Sequence, residues 1–200
     1  MEPALWPTLA DAVTMLEARG IQSALIGGLA VSLRGQPRMT ADVDLVVLAT
    51  VDDALRLVRE LDSTSFSPLF PGVEEVVVSA FILPLRHRHT GIRVDLAIGM
   101  SGFEQQAVRR ATPVTIGGTR IPVVSIEDLL VMKALAGRPQ DDQDIRGLVA
   151  AQRDVIDWSA CLELAEKLGE AVDLDIVSRL RAARTAHWDT GPGVAPPQSA

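Results

Sequence analysis

A single cysteine, Cys161, occurs in 200 residues, which excludes an intrachain disulfide and any zinc site built from several cysteines. Long apolar runs are missing as well. The longest, "VVVSAFILPL" from Val76 to Leu85, falls far short of the ~20 residues a membrane helix needs and is interrupted by Pro84. The opening segment "MEPALWPTLA" has no basic region ahead of an apolar one, so no secretory signal and no membrane association are expected, and the sequence reads as that of a cytoplasmic protein. Positive charge is scarce: 19 Lys and Arg stand against 26 Asp and Glu, for a net charge of −7. That balance argues against a broad nucleic-acid-binding surface but says little about a local one. Short basic clusters at Arg86 to His89, at Arg109 and Arg110, and at Arg179, Arg181 and Arg184 read as solvated faces. No internal repeat is evident.

What is present is a globular composition, 48% apolar with 22% charged residues. The patterning divides the chain into a mixed α/β part over residues 1–124, an all-helical part over 125–188 and a Pro/Gly/Ala-rich tail over 189–200. In the first part the spacing predicts helices at Thr8–Arg19, Leu29–Arg34, Asp52–Leu61 and Phe103–Arg110. It predicts strands at Ser23–Ile26, Val43–Leu48, Glu75–Leu83 and Ile92–Ile98. Val114–Ile116 and Ile121–Val124 flank Gly117 and Gly118 as a hairpin. From Ser125, placed to cap with Asp128 three residues on, helices are expected at Ile126–Ala136, from Pro139 to Gln152, at Trp158–Leu168 and at Leu174–Ala186. The fold class is therefore α/β (α+β), a mixed sheet flanked by helices and followed by a helical bundle.

The informative segment is "LIGGLAVSLRGQPRMTADVDLVV", Leu25 to Val47. Asp42 and Asp44 are two apart at the head of an apolar run, so on a strand both carboxylates leave the same face. Two like charges a few ångströms apart stay ionised near neutral pH only if cations compensate them. Hard oxygen ligands in that arrangement suit Mg²⁺ or Mn²⁺, which takes one or two carboxylates and completes its shell with water and phosphate oxygens. Asp95, in the apolar run "GIRVDLAIG", completes a trio if its strand lies beside that of Val43. Gly27 and Gly28 allow backbone N–H groups to approach phosphate oxygens at a helix start, although a plain turn would use them too. Neither a Walker loop nor a G-x-G-x-x-G fingerprint is present. Arg34 and Arg38 are surface cations or phosphate contacts, with Arg38 nearer the acids. His87, His89 and His187 read as exposed and without a role, and Trp158 and Trp188 as packing residues.

Lys133 lies between Ile126, Leu129 and Leu130 on an apolar helix face. A lysine there snorkels to solvent, pairs with an acid, or meets a substrate anion, because an unpaired buried ammonium is costly. Asp141 sits in the first turn after Pro139, where the helix dipole alone favours a carboxylate, and Asp144 follows one turn on.

Together, Gly27, Gly28, Arg38, Thr40 and the Asp42-Val43-Asp44 strand with Asp95 downstream resemble the nucleotidyltransferase superfamily. The segment "GGLAVSLRGQPRMTADVD" is most similar to the opening motif of AbiEii-like minimal nucleotidyltransferases, which include toxins of type IV toxin/antitoxin systems. "LLVMKALAGRPQDDQDI" is similar to their later Lys, Arg and acidic motif. The resemblance spans Ile21 to about Gln152. It implies transfer of an NMP unit from an NTP such as ATP to an acceptor hydroxyl, with Asp42, Asp44 and Asp95 as catalytic metal ligands. Gly27, Gly28, Arg38 and Lys133 are then nucleotide-binding, and Asp141 or Asp144 supports the site. The implied acceptor is a tRNA 3′ end, with a cognate antitoxin as partner. A small molecule such as an aminoglycoside is the alternative acceptor, and a degenerate nucleotide-binding or interaction module is the alternative class.

Overall fold

The structure, a computed structural model, describes residues 4–35 and 37–186. The expected tail, His187 and Trp188 lie outside the described residues. In chain order the elements are α1 (Leu5–Glu17), β1 (Ser23–Leu25), α2 (Gly27–Leu33), β2 (Asp42–Val47), α3 (Val51–Glu60), β3 (Phe66–Pro68), α4 (Val73–Ala80), β4 (Ile82–His87), β5 (Arg93–Ile98) and α5 (Gly102–Arg110). They continue with β6 (Thr112–Ile116), β7 (Thr119–Val123), α6 (Ile126–Ala136), α7 (Pro139–Gln152), α8 (Trp158–Val172) and α9 (Ile176–Thr185). The strands form one mixed sheet in the order β3-β4-β5-β2-β1-β7-β6. In it β2 runs parallel to β5 and β1 parallel to β7, while the other neighbours are antiparallel.

Strand period two divides the sheet into unlike faces. Val43, Leu45 and Val47 of β2 and Val94, Leu96 and Ile98 of β5 are buried on one face. Asp42, Asp44 and Asp95 take the other. The acids are tolerated because they stand at the N-terminal ends of their strands, where the cover of helices is incomplete. Helix α6 is apolar on nearly every side, with Leu129, Leu130, Val131 and Ala134 all buried. That pattern fits a helix enclosed by α7, α8 and α9 and touching α2. Through that last contact the helical part reaches the acid face of the sheet.

The expected strand Glu75–Leu83 is a correction. Residues Val73–Ala80 are helix α4, and the strand begins only at Ile82. The valine run favours a strand by side-chain branching, but Glu74 and Glu75 fall in a helix's first turn, where carboxylates meet the positive end of the dipole. Phe81 then closes the helix in the left-handed region at φ 57°, a conformation no sequence pattern announces for phenylalanine. Strand β3 is not among the expected strands, because the Ser and Pro residues around Phe66 are those of turns. Elsewhere the expected elements appear with ends shifted by one to a few residues. At Ser125 the hydroxyl accepts from the Asp128 N–H, but the Asp128 carboxylate turns to the Ser125 hydroxyl and Arg110, so only half of the expected capping box forms.

His87 is also corrected. It is buried, with Nε2 against Asp11 Oδ2 at 3.0 Å and Nδ1 against Thr90 Oγ1 at 2.8 Å, and it ties α1 to the end of β4. Arg86 and Arg88 flank it and are exposed. On an alternating strand the residue between two outward arginines must point in.

Candidate active site

Strand pairing sets the acids. In the parallel β2/β5 register Asp42 stands opposite Arg93 and Asp44 opposite Asp95, so all four side chains leave one face. Asp42 Oδ1 accepts from Thr40 Oγ1 at 3.0 Å. Asp95 is grasped by Arg93, with Nε to Oδ1 and Nη2 to Oδ2 both at 2.8 Å. No such side-chain partner meets Asp44 among the described residues. Burial, then the charges of Asp42 and Asp95, push its carboxyl up to about 6, and Lys133 and Arg138 offset this only in part. The trio foreseen from sequence is thus adjacent, with one member engaged by a guanidinium. Among the described residues no three His, Cys, Asp or Glu side chains converge closely enough to enclose an ion by themselves.

The glycine pair has a role that the sequence does not disclose. Gly27 and Gly28 are the first residues of α2, and Gly27 has φ 66°. A Cβ on Gly27 would stand 2.0 Å from Asp44 Oδ2 and 2.8 Å from Asp44 Cβ. One on Gly28 would stand 2.7 Å from Arg38 Nη2 and 2.8 Å from Thr40 Oγ1. Both glycines therefore give room to the site's own side chains, and at Gly27 the backbone conformation adds a second reason.

The helical part supplies the opposite wall. Lys133 Nζ lies 3.0 Å from Asp141 Oδ1 and 2.8 Å from Asp144 Oδ2. Arg38 Nη1 meets both oxygens of Asp144 at 3.1 Å. Arg138 reaches Asp141 through Nε at 2.7 Å and Nη2 at 3.1 Å. The result is a ladder of alternating charge, Arg38–Asp144–Lys133–Asp141–Arg138, whose inner three members are buried. Burial alone would raise the Asp141 carboxyl, but hydrogen bonds from Arg138 and Lys133 outweigh it and hold the group down at about 2. Of the alternatives open for Lys133, the structure has the ammonium paired with acids. It also lines the cavity, and both candidate acids of the segment touch it.

Acid wall and cation wall enclose one cavity of about 430 Å³, lined by Gly27, Gly28, Arg38, Asp42, Asp44, Asp95, Lys133 and Asp141 among others. Asp144 lies behind Lys133 and Arg38. Arg93 and Arg138 also line it; Arg138 is the arginine of the later motif, which assigns it no role, and sequence reasoning does not single out Arg93. Their signals were present: Arg93 is two residues before Asp95 on one strand face, and Arg138 is three before Asp141 at a helix N-cap. Arg34 is not in the cavity. It donates to the carbonyls of Val123 and Val124 and to Thr112 Oγ1, clamping the end of α2 to the end of β7.

Residues 9–188 match the profile of a family described as "Nucleotidyltransferase of unknown function (DUF6036)". The chain belongs to this nucleotidyltransferase family. Among solved structures, an antigenic nucleotidyltransferase-like protein from Paracoccidioides brasiliensis is similar, with 20% identity, 88% of this chain and 91% of that chain covered, and a TM-score of 0.54. The lincomycin-bound lincosamide antibiotic adenylyltransferase LnuA is 16% identical over 68% of this chain and 91% of its own, with a TM-score of 0.48. The antibiotic-resistance factor ANT(2″)-Ia is 13% identical over 88% of each chain, with a TM-score of 0.48. At these identities the likeness is one of fold. No curated protein matches. Among the described residues, no helix of this nucleotidyltransferase is long and apolar enough to cross a membrane.

Proposed function

We propose that the chain transfers an NMP unit from an NTP to an acceptor hydroxyl with a divalent cation, Mg²⁺ or Mn²⁺, bound at Asp42 and Asp44. One observation carries this reading: a partly buried carboxylate with a raised affinity for protons and no side-chain partner among the described residues, Asp44, faces a wall of three cations across a single cavity. Two hard carboxylates on one strand suit an ion that takes its remaining ligands from water and phosphates, so the donor set fits the cation. When bound, the ion supplies charge neutralisation at the phosphates. Asp44, relieved of its repulsion from Asp42, stays ionised. Gly27 and Gly28 present backbone N–H groups to the phosphates, while Arg38, Lys133 and Arg138 offset the negative charge that builds as pyrophosphate leaves. Asp95, one strand away, orients the acceptor hydroxyl or takes its proton.

The toxin-like reading, with a tRNA 3′ end as acceptor and a cognate antitoxin as partner, is supported by the likeness of the Gly27 to Asp44 segment to AbiEii-like enzymes. Incubation with each of four α-labelled NTPs, Mg²⁺ and total cellular RNA tests it. Label on tRNA that disappears in Asp44→Asn is the expected result. Label on a small molecule instead would replace the acceptor, and activity unchanged in Asp44→Asn would overturn the catalytic assignment.

A further inference from the structure

The acids divide the sheet face into two sides. Toward β1, α2 and α6 lie Gly27, Gly28, Arg38 and Lys133, which on the reading above hold the triphosphate. Sheet order places β5, β4 and β3 on the other side, so an acceptor must approach from there. The registers continue across these strands: Asp42 opposite Arg93, Arg93 opposite Arg86, Arg86 opposite Ser67. All four therefore share the acid face in one row. Arg93 and Arg86 are exposed, and with strands about 4.8 Å apart both are rooted within roughly 10 Å of the Asp42 strand. The buried face behind them is wholly apolar along β5. This outer half of the acid face is thus a shelf carrying two exposed guanidiniums beside the reacting centre, bounded by Pro84, which stands opposite Asp95 and is buried.

Arg93 is placed to act twice. It holds both oxygens of Asp95, a planar two-point match that a phosphate group also offers to a guanidinium. A phosphate arriving on the shelf competes with Asp95 for the same donors. Once Arg93 turns to the phosphate, Asp95 is left free to face the acceptor hydroxyl and the cation.

We propose that Arg93 determines acceptor specificity: it selects an acceptor bearing a phosphate near its reacting hydroxyl, and it releases Asp95 when that phosphate binds. This rests on the reading of the cavity as a nucleotidyl-transfer site. The phosphate belongs either to a polynucleotide 3′ end or to a small phosphorylated molecule.

The test uses the full chain, Arg93→Ala and Arg93→Lys, with thermal melting to verify folding at this half-exposed position. Each protein is titrated calorimetrically with non-hydrolysable NTP analogues and Mg²⁺, and then with three acceptor probes: a 12-nucleotide single-stranded RNA with a free 3′ hydroxyl, glycerol 3-phosphate, and kanamycin. A phosphate probe is expected to bind the wild type, with affinity falling roughly tenfold or more in Arg93→Ala. Arg93→Lys should fall between them. Binding of RNA alone identifies the polynucleotide source, and binding of glycerol 3-phosphate the small one. In the nucleotide-free proteins, Mn²⁺ titration followed by electron paramagnetic resonance should show tighter binding in Arg93→Ala, because Asp95 is released. Equal phosphate-probe affinity in wild type and Arg93→Ala, binding of kanamycin alone, or unchanged Mn²⁺ affinity would each overturn the assignment of Arg93. Failure of the wild type to bind any NTP analogue with Mg²⁺ would instead overturn the reading of the cavity itself.

Discussion

The two walls of the cavity handle charge in opposite ways. On the helical side every acid has cations against it: Asp141 and Asp144 share Lys133 and are closed off by Arg138 and Arg38. On the sheet side three carboxylates crowd together, and Asp44 is left with burial and repulsion. One wall is finished as it stands, and the other is complete only in company. The contrast teaches where stability ends and function begins, because folding alone would not retain an under-compensated acid over an asparagine.

Substituting Asp44→Asn breaks the contrast from the acid side and has the largest expected effect. NMP transfer should fall by roughly 10²–10³-fold or more, measured as kcat with labelled NTP. Stability should move the other way. A carboxyl raised to about 6 binds its proton more tightly folded than unfolded. Its contribution is fully present below its unfolded value and is lost as pH rises through about 6. A shift of about two units is worth roughly 3 kcal/mol. Thermal melts without divalent cation should therefore show the Asp44→Asn protein more stable than wild type at pH 8, with the gap closing by pH 4. A wild-type advantage at pH 8 would sink this account of Asp44.

Lys133→Ala breaks the cation wall. Two buried carboxylates lose their shared ammonium, and the expected cost is about 3–5 kcal/mol in denaturant unfolding. Adding Asp144→Asn should recover part of it, since one stranded charge is removed.

Gly27→Ala disturbs the seam between sheet and helix. Its methyl would displace Asp44 in addition to straining the backbone, so roughly 1–3 kcal/mol of stability and most of the activity should go together. Gly20→Ala sharpens the point: Gly20 has φ 68° but nothing within 4 Å of a new Cβ. It should lose stability from strain alone and keep its kcat.

The smallest effect is an acid limb. With its carboxyl held down at about 2, Asp141 contributes stability that is present above its unfolded value and lost as pH falls from near 4 through about 2. Asp141→Asn should flatten that limb in unfolding curves while leaving the change between about pH 4 and 6 to Asp44.

Much of the acid wall was legible because period two fixes which side chains share a face. Asp42 and Asp44 needed only a strand, and Asp95 only a neighbour. The glycine pair was legible as a place but not as a fit, since nothing local says that Asp44 will lie against position 27. Lys133 could be singled out from its apolar surroundings, but its partners come from the next helix and depend on a turn at Gly137. Arg93 carried the right spacing and was passed over because arginines beside acids are common on surfaces, while Arg138 was legible as part of the later motif but without a role. Helix α4 was misread because valine-rich runs favour strands until a neighbouring strand claims the position, and here β3 and β4 pair without it. The expected boundary at Ser125 follows the switch from mixed to all-helical patterning. Even so, the cavity draws on residues from both sides of it.

The alternating ladder of Arg38, Asp144, Lys133, Asp141 and Arg138 has a kinetic consequence. Its three cations against two acids leave one positive charge, which the carboxylates of Asp42 and Asp44 outnumber, so the mouth of the cavity is negative, as is the chain as a whole at net charge −7. A bare polyanion approaches against that potential, while one accompanied by a divalent cation largely escapes it. Encounter should therefore be slow and quickened by added salt for the free nucleotide, and nearly indifferent to salt for its cation complex.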